Sequence, residues 1–299
     1  MDNNKSLGKR ILNTSLTKII VGLVACVGIV SILQIGIKEL LNRSPLNKDY
    51  QNLIGGAIVA VIVLVIYTTL YRFYEKRKIT ELSGNNLAQN LLTGILLGAV
   101  LQSLTILVIY LNNGFEIISV NSFLYILPSL TMAFTAAIFE EVLFRGIIFR
   151  IAEEKLGSYM ALGISAIIFG AIHLANPNSS FIAAAGLAIQ AGLLLGAAYI
   201  YSKNLWFPIA LHFAWNFTQS GIFGAATSGN AISKSLITSK ISGSEIITGG
   251  QFGPEGSVQA TLFCLIATII LMFLNHRQNK IVKPYWMMNP DISVALPVN

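Results

Sequence analysis

The run Glu140-Glu141-Val142-Leu143-Phe144-Arg145 sets two carboxylates and a guanidinium directly behind an apolar stretch, 123–139. An ionisable side chain at the centre of a bilayer costs about 2.5–3.5 kcal/mol on insertion scales, so it is a functional candidate by default. Neighbouring residues on a helix point about 100° apart, and the two glutamates therefore cannot share one role. Glu141 and Arg145 stand four apart with the acid first, the favoured order for a pair that neutralises itself. Glu140 has no such helical partner and is the better candidate for chemistry. A plain charged helix end at the membrane surface is the competing reading. Against it, Leu143-Phe144 and Gly146-Ile147-Ile148-Phe149 keep the helix apolar beyond the charges.

Two further polar positions interrupt apolar helices. Phe169-Gly170-Ala171-Ile172-His173 is one; His212-Phe213-Ala214-Trp215-Asn216, with Pro208 four residues before the histidine, is the other. His212 and Asn216 are one turn apart and share a helix face. A lone histidine in an apolar helix is more often structural than catalytic, yet this chain has 3 histidines in all and two sit in such helices. A buried carboxylate beside an imidazole can activate water, and a placed base contributes about 10²–10⁴ in rate. A second imidazole with an amide one turn on can donate to a developing oxyanion. Together these parts describe hydrolysis of an acyl compound, most simply a peptide bond. Glu140, His173 and His212 also have the ligand types of an open zinc site, and spacing alone leaves the two schemes open.

The elements that must position these groups are membrane helices. Hydrophobic residues make up 54% of the chain and charged residues 11%, with mean hydropathy +0.69, where a soluble domain carries about 25% charge. Apolar runs of about 18 residues or more, enough to cross roughly 30 Å at 1.5 Å per residue, recur along the chain, and the spans expected, to within a few residues at each end, are 19–37, 53–71, 91–111, 123–154, 160–174, 181–201, 205–220 and 260–274. The fold class expected is all-α, a polytopic transmembrane bundle of about eight helices. The fourth and fifth runs form a hairpin that turns near Gly157. Glu140 lies 17 residues before that turn and His173 lies 16 after it, so both reach about 25 Å from the turn, at matching depth. His212 comes only about eight residues into its run, roughly 12 Å deep on straight helices, and tilt or a break at Pro208 would have to supply the difference.

Charge sets the direction of the bundle. With the N-terminus in the cytoplasm, the inner side receives Lys5, Lys9, Arg10, Lys18, Arg72, Lys76, Arg77, Lys78, Arg145, Arg150, Lys155, Lys203, Arg277, Lys280 and Lys283. The outer side receives Lys38, Arg43, Lys48, Lys234 and Lys240, and the positive-inside rule places both termini in the cytoplasm. The net charge of +7 thus belongs to loops rather than to nucleic-acid binding. The first run is too long for a signal peptide and lacks a small-residue cleavage site, so it reads as a retained span. Cys26 and Cys264 both fall inside apolar runs and give neither a disulfide framework nor metal-ligand spacing. Gly94 and Gly98, like Ala188, Gly192 and Gly196, recur every four residues and let helices approach closely. The Gly-, Ser- and Thr-rich segment 221–259 is read as a plain solvent loop in preference to a lid.

The ordered set Glu-Glu-x-x-x-Arg, Phe-x-x-x-His and His-x-x-x-Asn, carried by Glu140, Glu141, Arg145, Phe169, His173, His212 and Asn216, resembles the CPBP family of intramembrane proteases. These are the CAAX-processing and bacteriocin-processing enzymes, also called the abortive-infection family. The resemblance covers roughly 123–220. It implies an endopeptidase of eight helices, with a polar cavity inside the membrane and a membrane-associated peptide or protein as substrate. Under it Glu140 and His173 activate the attacking water, and His212 with Asn216 stabilises the oxyanion. Glu141, Arg145 and Phe169 support the site or engage substrate. The family is described both as metalloproteases and as metal-free glutamate enzymes, so zinc remains one option and no cofactor the other. The organisation expected is 1–122 for the first three spans, 123–220 for the catalytic core, and 221–299 for a loop, the last span and a cytoplasmic tail. A bacterial inner membrane fits the chain best. Two other classes stay in view: a non-catalytic immunity or regulatory partner, and a transporter with a carboxylate proton relay, for which visible internal repeats are missing.

Overall fold

The apolar runs become long helices because a lipid-facing backbone must satisfy its own hydrogen bonds. A computed structural model describes residues 11–232 and 234–288 of the chain. Lys5, Lys9, Arg10 and the end of the expected tail, 289–299, lie outside these residues. The helices α1 (Ser15–Asn42), α2 (Lys48–Tyr74) and α3 (Leu87–Leu111) come first, followed by a strand β1 (Phe115–Val120). Then α4 (Leu127–Glu141) runs through a π-helical segment, Val142–Phe149, into α5 (Arg150–Ile172). After α6 (Phe181–Leu187) a second π segment, Ala188–Leu193, leads into α7 (Leu194–Ser202). Next come α8 (Trp206–Phe217) with a third π segment, Thr218–Ile222, the strand β2 (Ile237–Ile241) and α9 (Val258–Arg277).

Six helical stretches are long and apolar enough to cross a membrane, and the chain is an integral membrane protein. One of the six, Phe123–Ala175, is 53 residues long. It folds back at Gly157, the one residue inside α5 with non-helical angles (φ 76°, ψ 167°). The hairpin expected from the sequence is therefore present, with two antiparallel arms. The arm formed by α8 and its π segment is too short to count among the six, and with it the bundle has the expected eight. Outward faces carry exposed Ile32 and Ile35 on α1 and Leu92 and Leu96 on α3, as a lipid-facing surface requires.

Gly157 turns the chain where a side chain has no room: a Cβ there would lie 2.7 Å from Pro284 N and 2.8 Å from Val282 O. Its positive φ adds a second penalty for any L-residue, about 1–2 kcal/mol. Gly157→Ala is expected to lower the unfolding free energy by about 1–3 kcal/mol, read as a drop in thermal midpoint of the purified protein.

Helix α8 lies in close contact with α3. At Gly94 a Cβ would come within 2.7 Å of Phe207 O, and Gly98 faces Leu211 O and Ala214 with similarly little room. Gly192 sits as closely on Ala166, which fixes the second π segment against α5. Small residues thus hold the two helices that carry His173 and His212. Gly98→Val is expected to displace α8, costing about 1–3 kcal/mol and weakening any activity that depends on His212, measured by thermal unfolding and turnover together.

Ion pairs link residues near the helix ends. Glu75 meets Lys18 at 3.2 Å, Arg77 at 2.8 Å and Arg150 at 3.0 Å, while Lys234 meets Asp49 at 2.7 Å. Both cysteines are free and buried.

Two expectations need correction. Segment 221–259 is not a plain solvent loop: β2 pairs antiparallel with β1, and Phe252, Glu255 and Ser257 are buried. Nor does Pro208 break its helix. It lies in the first turn of α8, where its missing N–H leaves no bond unmade. Asn204 and Leu205, directly after exposed Lys203, are buried at 4% and 0% exposure, and long-range bonds fix where α8 begins. Leu205 N is anchored there to Glu81 O at 2.7 Å, and Asn204 Nδ2 to Ser83 O at 3.0 Å.

Candidate active site

The hairpin brings the first two motifs together at the depth their spacing predicts. His173 Nε2 lies 4.0 Å from Glu140 Oε2, too long for a direct hydrogen bond and right for a water between them. The other ring nitrogen, Nδ1, is 2.7 Å from Phe169 O. A carbonyl can only accept, so Nδ1 carries the proton, and in the neutral ring Nε2 is left as an acceptor toward Glu140. Phe169 also stacks on the His173 ring, with centroids 4.5 Å apart, and meets His212 edge-on at 6.4 Å. It separates the two imidazoles and holds both orientations.

Glu141 does more than pair with Arg145. Its Oε1 accepts from Arg145 Nη1 at 2.9 Å and from His212 Nδ1, also at 2.9 Å, so the first motif is tied to the third through one oxygen. Glu141 and Arg145 are both 0% exposed. The guanidinium also donates Nη2 to Ala191 O and to Gly192 O, the latter at 3.2 Å. Those carbonyls belong to the π segment 188–193. Its i→i+5 winding loosens the helical ladder and leaves acceptor capacity for a side chain. All three π segments flank the site: one follows Glu141, one receives Arg145, and one begins two residues after Asn216.

Glu140, His173, His212 and Asn216 line one cavity of about 50 Å³, room for a few waters. Glu140, His173 and Asn216 also line a groove of about 550 Å³ that runs between α4 and the segment 227–232. They stand at the neck between a small inner chamber and a larger outer one. Arg145 and Glu141 lie behind the cavity wall, where they position His212.

The zinc option meets this geometry poorly. Two ligands each about 2 Å from a tetrahedral zinc stand about 3.3 Å apart, whereas Glu140 Oε2 and His173 Nε2 are 4.0 Å apart. Among the described residues no three His, Cys, Asp or Glu side chains converge as metal ligands would. The donor set as arranged does not fit the metal.

Sequence reasoning missed Glu255, Ser228, Gln190 and Trp215, all of which line the inner cavity. Glu255 is 1% exposed. Its carboxylate accepts from Ser228 N and, at 3.5 Å, from Trp215 Nε1. Only its unpaired charge in a Gly-rich segment could have flagged it. Burial pushes the Glu255 carboxyl up to about 7, with the Ser228 and Trp215 donors pulling the other way. A raised folded value favours the closed segment fully below the ordinary carboxyl range, and that contribution is lost as pH rises through about 7. Limited proteolysis of segment 223–257 is expected to quicken above pH 7, and Glu255→Gln to flatten that dependence.

The site is thus a small polar chamber between the arms of an all-α membrane bundle. Residues 122–218 match the profile of a protein family described as Rce1-like, type II CAAX prenyl endopeptidase Rce1-like. That segment holds all three motifs, and the match agrees with the resemblance to CPBP intramembrane proteases. No curated protein and no solved structure matches the chain.

Proposed function

We propose that this protein is an intramembrane endopeptidase that hydrolyses a peptide bond of a membrane-associated peptide or protein, of CAAX type or in peptide processing. The observation that carries the reading is the 4.0 Å gap between Glu140 Oε2 and His173 Nε2, with the histidine's proton held on the far nitrogen by Phe169 O. A water in that gap donates one hydrogen to each group. As its oxygen attacks the carbonyl carbon, Glu140 takes a proton. The oxyanion is received by Asn216 Nδ2–H and by His212, which in its doubly protonated form offers Nε2–H while Nδ1–H stays on Glu141. Collapse breaks the C–N bond, and the proton held by Glu140 passes to the leaving nitrogen, giving a free acid and a free amine.

In this reading 123–220 is the catalytic core, 1–122 forms the supporting spans, and 221–299 contributes the covering segment, the last span and the tail. The Lys and Arg distribution supports both termini on the cytoplasmic side of a bacterial inner membrane.

The test profiles peptide termini by mass spectrometry in membranes carrying the wild-type protein or Glu140→Ala at equal level. Termini found only with the wild type establish proteolysis and name the substrate class. Identical profiles in the presence of natural partners would overturn the reading in favour of a non-catalytic membrane partner.

A further inference from the structure

The inner cavity is unusually rich in hydrogen-bond acceptors. Besides Glu140, its wall contains Glu255, a buried carboxylate that forms no ion pair with any Lys or Arg among the described residues. Gln190 is 4% exposed and spends its amide hydrogens on Glu255 O at 2.7 Å and Thr261 Oγ1 at 2.9 Å. Those acceptors fix which end is nitrogen, and Gln190 Oε1 is left with no donor. Glu140 Oε2 also has none. Glu140, Gln190 and Glu255 thus line one small chamber whose wall holds no Lys or Arg side chain. A buried carboxylate in this condition is costly unless a cation or several donors complete it. The remaining wall is apolar, with Leu187, Leu194 and Trp215, suited to the methylene stem of a long basic side chain.

We propose that this chamber is a subsite for a basic group of the substrate, a lysine or arginine side chain close to the cleaved bond, and that Glu255 selects it. The proposal rests on the proteolytic reading and gives that reading a substrate preference. The stem lies along the leucines and the indole, and the cationic head donates to Glu255 and Gln190 Oε1. With its carboxyl held near 7 by burial, Glu255 is drawn to the ionised form when the cation arrives and releases a proton. The segment 223–257 is then part of the specificity apparatus, because Ser228 N and the backbone around Glu255 hold the carboxylate over the chamber.

Two measurements on the full-length protein test this. In the first, a randomised peptide library is digested by the wild type and by Glu255→Gln, a variant that keeps an acceptor for Ser228 N. Bonds cut by the wild type are expected to carry Lys or Arg within two residues about tenfold more often than the library, and the enrichment to vanish in the variant. Equal use of basic and neutral positions by the wild type, or an enrichment that persists in the variant, overturns the proposal. In the second, Glu140→Gln binds paired peptides that differ only by lysine or norleucine, read by thermal shift. The lysine peptide is expected to bind about tenfold more tightly, and the difference to disappear in Glu140→Gln/Glu255→Gln. Equal binding in the single variant overturns the subsite. If the wild type cleaves nothing while the lysine preference in binding stands, proteolysis is refuted and the cation subsite is supported.

Discussion

Glu140→Gln lowers peptide cleavage by about 10³-fold or more and leaves the thermal midpoint unchanged or slightly higher. The amide keeps the shape of the carboxyl but cannot take a proton from water. Stability is spared because Glu140 Oε2 has no hydrogen-bond partner among the described residues, so removing its charge strands nothing. His173→Gln is expected to cost about the same. If the two groups act on one water, the double variant is no slower than either single one, since groups that work as a unit are strongly non-additive. Multiplicative losses in the double variant would separate their roles and refute a shared water. Circular dichroism and thermal unfolding of the same preparations check that the fold is intact.

Arg145→Met has the opposite signature, a large loss of stability. It removes the cation from a Glu141 carboxylate that is 0% exposed and leaves His212 as its remaining side-chain partner. Breaking one side of a buried pair costs about 3–5 kcal/mol, which would unfold much of the protein or force Glu141 to take up a proton. In either case His212 loses its anchor, and activity falls with stability. The double variant Glu141→Gln/Arg145→Met removes both charges and is expected to regain most of the thermal midpoint while turnover stays low. Arg145→Lys does not substitute, because one ammonium cannot reach Glu141 Oε1, Ala191 O and Gly192 O with the guanidinium's fixed fork. Thermal unfolding in the same detergent ranks the variants; a midpoint for Arg145→Met equal to the wild type would remove the ion pair from the account.

Much of this arrangement was legible in residue spacing, and the reason is the constancy of helix rise. The meeting of Glu140 with His173 needed only Gly157 as a turn and 1.5 Å per residue on either arm. Glu141 and Arg145 needed only the four-residue rule. The same counting left His212 short of the other two, because the start of its helix is set by long-range bonds of Leu205 and Asn204 to the connection between α2 and α3, which spacing does not show. Glu255 was out of reach for a different reason. Its segment has no period, and its burial comes from long-range contacts with Trp215, Gln190 and Ser228. The pairing of β1 with β2, which sets Phe115 against Ile241 and Ser119 against Thr238, has the same non-local character.

The π segments have a consequence for how this chain can change over time. Each holds one residue more than an α-helix would use for the same advance, so the motifs on either side are set in a particular rotational phase. Removing a single residue from 142–149 would restore α winding and swing everything beyond it by about 100° about the helix axis. Arg145 would leave Ala191 and Gly192, and the hairpin would deliver His173 to the wrong side of Glu140. A substitution at Ile147 is a local matter of packing, whereas a deletion there changes the clock by which the whole arm is read. Length variation among natural versions of this chain should therefore avoid the three wound segments and fall in connections that anchor no helix of the site.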